Sequence, residues 1–109
     1  MVLTYCPNLV WLSKVTGAAE AVGVEVARAT DAAPPAGARG VLVDLSEPEP
    51  AMRLIERYAG RLRIVAFGPH VEVDTLEKAA KLGADRVVSR GELSGSLGEV
   101  LAWLDSPEG

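Results

Sequence analysis

The chain has 109 residues, a formal net charge of −4 and 49% hydrophobic residues. That is the size of one domain with one core, and no apolar run approaches the ~20 residues a membrane helix needs. Its 8 Arg and 3 Lys are scattered among 15 acids, leaving no basic footprint for nucleic acid, and the single cysteine, Cys6, excludes an internal disulfide or a multi-cysteine metal site. The opening Met1-Val2-Leu3-Thr4-Tyr5 lacks the basic and long apolar parts of a signal peptide, so a cytoplasmic location with no membrane contact is expected.

In chain order, Val2 to Cys6 reads as a strand stopped by Pro7. Asn8 then caps a helix whose face is Leu9, Leu12, Val15 or Thr16, Ala19 and Val22, and Gly23 closes it. Val24 to Ala29 alternates as an edge strand does. Thr30 to Arg39 carries Pro34-Pro35 and Gly37 among small residues, which leaves room for at most one helical turn, so the second helix is expected to be vestigial or missing.

Gly40-Val41-Leu42-Val43-Asp44 is an apolar run ending in one acid, the mark of a central parallel strand covered on both faces. Ser46 is placed to cap the next helix, with Ala51, Leu54, Ile55 and Tyr58 inward and Gly60 as its stop. Arg63 to Phe67 forms a fourth strand, broken by Gly68-Pro69-His70. Asp74 and Glu77 have capping-box spacing ahead of Leu76, Ala79, Ala80 and Leu82, and Gly83 ends that helix. Asp85 to Ser89 is a short fifth strand. A last helix follows Arg90-Gly91 with Leu97, Val100, Leu101 and Leu104 inward; Gly95 and Gly98 blur its start.

Five strands alternating with four clear helices predict an α/β domain: a single doubly wound five-stranded parallel sheet in order 2-1-3-4-5, its second helix short or missing. In such sheets chemistry collects beyond the carboxyl ends of the strands. Cys6, Asp44 and His70 follow the adjacent strands one, three and four there. A thiol, a carboxylate and an imidazole at one edge suggest a nucleophile or a three-ligand metal site.

Two segments resemble the response-regulator receiver domains of two-component signalling, over nearly the full length. They are Val41-Leu42-Val43-Asp44, like the strand that ends in the phosphoacceptor aspartate, and Leu82-Gly83-Ala84-Asp85-Arg86-Val87-Val88-Ser89-Arg90, like the approach to the last strand and its closing lysine. The resemblance implies a receiver-like domain over 1–105 with a frayed tail at 106–109, and makes Asp44 the phosphoacceptor equivalent. It also exposes departures. Receivers place a pair of metal-holding acids where this chain has Cys6, Pro7 and Asn8, a hydroxyl where it has Gly68, and a lysine where it has Arg90.

A degenerate pseudo-receiver is therefore implied: not an enzyme, not phosphorylated, holding no metal or cofactor, and acting through a protein partner or as a homodimer. Arg90 is expected to pair with Asp44 across the mouth. Receivers commonly dock through their fourth helix, fifth strand and fifth helix, and Trp103 on the last helix is the interface candidate. The alternative is a small-ligand binder or enzyme using Cys6, Asp44 and His70.

Overall fold

Alternating side-chain direction along each strand decides the architecture. Leu3, Val41, Val43, Ile64 and Ala66 point to one face of a sheet, and Val2, Leu42, Val65 and Phe67 to the other. The computed structural model describes residues 1–30 and 32–107. Strands β1 (Val2–Tyr5), β2 (Val26–Arg28), β3 (Gly40–Asp44), β4 (Arg63–Gly68) and β5 (Arg86–Ser89) pair in parallel in the order β2-β1-β3-β4-β5. Helices α2 (Pro48–Tyr58) and α3 (Val73–Leu82) cover the first face, while α1 (Leu9–Val22), α4 (Arg90–Ser94) and α5 (Leu97–Asp105) cover the second.

The expected sheet order is the observed one. Between β2 and β3 the described residues contain no helix, only a turn at Ala36-Gly37, as the proline pair requires. Thirteen buried residues of the first face form one continuous core, and α5 closes the second with Leu101 and Leu104 fully buried.

Several local expectations need correction. The inward face of α1 is Trp11, Val15 and Ala19, and Leu9 and Val22 are exposed. This helix carries apolar residues on two flanks, and contact of the Trp11 ring with Phe67, centroids 5.1 Å apart, selects the flank that packs. Its cap is as expected: Asn8 Oδ1 accepts from the amides of Val10 and Trp11.

Ser46 does not cap α2. Its amide donates to Asp44 Oδ1, and Glu47 precedes the helix. Pro48 and Pro50 have no amide to offer, so a capping side chain has little to satisfy. Asp74 lies inside the first turn of α3, and no side-chain cap forms there. The short α4 was not foreseen. Ser89 and Glu92 form its capping box, and the Ser89 backbone and hydroxyl hold the Glu92 carboxyl below its ordinary range. Ser-x-x-Glu was the available signal.

The carbonyl end of α5 is held from far away. Arg63 donates to the carbonyls of Trp103 and Ser106, and Arg39 donates to that of Asp105. Arg86 lies over the Trp103 ring, 3.9 Å from its centre, so this tryptophan is a half-buried rim residue covered by guanidinium. Of the tail expected at 106–109, Glu108 and Gly109 lie outside the described residues. Among the described residues no helix is long and apolar enough to cross a membrane.

Candidate functional site

The site is built from strand ends. β3 delivers Asp44 to the mouth of the sheet, where the chain turns sharply, and the loop after β1 brings Cys6 to it. Asp44 is completely buried. A carboxylate without solvent needs its lone pairs filled by protein groups. Oδ1 accepts from the Ser46 amide at 2.9 Å and lies 3.8 Å from the Arg90 guanidinium, and Oδ2 faces the Cys6 thiol at 3.8 Å.

Arg90 stands at the first residue of α4, where the chain leaves β5. Its pairing with Asp44 is a single long approach rather than a two-pronged one, and the side chain is 31% exposed. Arg90 Nε is buried and has no hydrogen-bond partner in the structure. The guanidinium thus supplies field more than hydrogen bonds to the acid.

The Cys6 thiol has one proton and two acceptors, Asn8 O at 3.6 Å and Asp44 Oδ2. Burial, then the Asp44 charge and its hydrogen bond, push this thiol from 9.0 up to about 12. A catalytic cysteine needs the opposite shift. Since the folded chain keeps a proton that the unfolded chain has lost, this contribution to stability is whole below pH 9 and declines as pH rises toward about 12. Urea titrations across that window are expected to show a decline that Cys6→Ala flattens, and iodoacetamide is expected to label native Cys6 more slowly than free cysteine at neutral pH.

His70 is exposed on the turn after β4 and makes no hydrogen bond or ion pair among the described residues. Cys6 and Asp44 therefore meet, and His70 does not join them. Tyr5, next to the mouth, reaches Glu47 through its hydroxyl, and burial followed by the Glu47 charge raises its ionisation above the ordinary value. Sequence reasoning missed both Tyr5 and the Ser46 amide. An acid followed two residues later by serine is a turn signal that would have found the latter.

Gly68 is buried, and a Cβ there would stand 3.3 Å from the Leu45 Cβ and 3.7 Å from the Leu76 Cδ2. The place where the resemblance puts a hydroxyl is bounded by leucine. The donor set also fails a hard divalent cation, which takes several charged oxygens. Beside Asp44 stands the Cys6 thiol, Asn8 is engaged as a helix cap, and among the described residues no three His, Cys, Asp or Glu side chains gather.

No protein-family model and no curated protein matches the chain. Solved structures do match. A response regulator from Thermotoga maritima superposes with a TM-score of 0.74 at 19% identity, covering 95% of each chain. The receiver domain of NtrX from Brucella abortus gives 0.74 at 18%, covering 99% of this chain and 100% of the other. The phosphorylated cyanobacterial phytochrome response regulator RcpA gives 0.75 at 12%, covering 99% and 95%. The likeness is one of fold: a five-stranded parallel sheet with helices on both sides, as in receiver domains.

Proposed function

We propose that this chain is a non-catalytic receiver-fold module of a signalling or scaffolding pathway, not phosphorylated, which acts through contacts with another protein or a second copy of itself. One observation carries the reading. Asp44, the residue at the phosphoacceptor position, is fully buried with both carboxylate oxygens engaged by protein groups.

Phosphoryl transfer to a carboxylate needs a free oxygen in line with the donor and cations over the equatorial oxygens. Among the described residues the cation beside the acid is Arg90, which approaches it at one point. The neighbouring positions supply a neutral thiol, a glycine and leucine side chains. What the fold retains is surface. A cytoplasmic setting fits a chain without a membrane-spanning helix among its described residues.

The test is incubation with acetyl phosphate and Mg²⁺, followed by intact-mass measurement, alongside a thermal melt with beryllofluoride. No phosphoryl mass increment and an unchanged melting midpoint are expected. A hydroxylamine-sensitive phosphoryl adduct that Asp44→Asn abolishes would overturn the reading.

A further inference from the structure

A crossover between parallel strands ordinarily lays a helix on the sheet. The connection from β2 to β3 lays none among its described residues, so α2 has α3 on one flank and no helix on the flank toward β1 and β2. A groove of about 300 Å³ runs along that open flank. Tyr5, Ala29, Pro50 and Leu54 line it, with Arg28 and Arg53 at its rim.

The same flank is strongly basic. Arg53, Arg57 and Arg61 recur every four residues and form a row on the outer side of α2 and just beyond it. All three are exposed, as is Arg28, and none forms an ion pair among the described residues. Glu56 is the one acid sharing their shallow depression, and it is not paired with them either. Four exposed guanidinium groups without an ion pair among the described residues, on one side of a chain of net charge −4, mark a surface with its own sign.

We infer that this flank receives an acidic amphipathic helix from a partner protein, laid beside α2 where the missing crossover helix would lie. The inference rests on the reading of the chain as a protein-contact module and names the chemistry of the partner. A helix is the occupant because, among the described residues, no helix of this chain flanks α2 on this side. It is acidic because its edges meet Arg28, Arg53 and Arg57, and apolar on one face because the half-buried Tyr5 and Pro50 lie between them. Nucleic acid fits less well, since the overall negative charge repels a polyanion and the row spans only three side chains.

The experiment is an amide NMR titration of the intact chain with three probes: a synthetic helical peptide with leucines on one face and glutamates flanking them, its lysine-for-glutamate twin, and an oligothymidylate. The glutamate peptide is expected to give saturable shifts at Arg28, Ala29, Arg53 and Arg57. The exposed double variant Arg53→Ala/Arg57→Ala is expected to weaken it about tenfold at unchanged melting temperature. Absence of binding, equal binding of the lysine twin or the oligonucleotide, or a variant that binds like the parent overturns the inference. Shifts confined to α3, β5 and α5 would remove this groove and leave the module reading standing. A phosphoryl adduct at Asp44 would remove that reading and leave the groove.

Discussion

Replacing Arg90 by methionine is expected to lower the unfolding free energy by about 3 kcal/mol, the low end of what breaking a buried ion pair costs. Asp44 has no solvent to fall back on, and its remaining partners are one amide and one neutral thiol. The lower figure is apt because Arg90 is partly exposed and approaches at 3.8 Å. Asp44→Asn removes the charge and keeps an acceptor for the Ser46 amide, so it should cost less. The informative variant is the double one. If Arg90 is there to offset the acid, Arg90→Met/Asp44→Asn should be more stable than Arg90→Met alone by about 1 kcal/mol or more, read from urea unfolding. Strict additivity would show that the two side chains are neighbours without energetic dependence.

Gly40→Ala is expected to cost a similar amount for an unrelated reason. A Cβ on this residue would stand 2.7 Å from both the Cβ and the carbonyl oxygen of Leu104. These are atoms fixed by the backbone of α5, with no rotamer change to relieve them. Either β3 or the last turn of α5 must move, and overpacking of this kind costs about 1–3 kcal/mol, here at the upper end. Gly17→Ala is the control. It lies in the exposed middle of α1 with nothing within 4 Å, and should instead stabilise by up to about 1 kcal/mol through helix propensity. Thermal melts of the two variants should move in opposite directions; a Gly40→Ala protein as stable as its parent would mean that α5 does not pack against β3 as described.

The strands were legible because their residues speak in one register. Val41-Leu42-Val43 is apolar at every position, since helices cover both faces, and no helical periodicity competes with it. The helix-free connection was legible because Pro34-Pro35 is a local prohibition. The inward face of α1 was legible in Val15 and Ala19 but not at its ends, because Leu9 and Val22 compete with Trp11 on the same cylinder, and a ring contact with Phe67 settles it from far along the chain.

At the site, the nearness of Cys6 and Asp44 followed from strand order and that of Arg90 from the receiver resemblance, while His70, grouped with them by the same strand order, stands apart. The geometry around Asp44 did not follow: neither the single long Arg90 approach nor the turn in which Ser46 gives its amide to Asp44 is written in spacing. The arginines holding the end of α5 were equally hidden, being 40 and 66 residues from the carbonyls they meet.

Those two arginines also set an order in time. Arg39 and Arg63 stand together only after β3 and β4 have paired, so the last helix finds its anchor only on a sheet already assembled. During synthesis Val2, Leu42 and Val65 emerge well before Leu101 and Leu104 exist, so until α5 is made this face of the nascent sheet has α1 as its early cover and its α5 side is open. Until α5 arrives, the part of the face that Leu101 and Leu104 will cover is open to other apolar surfaces.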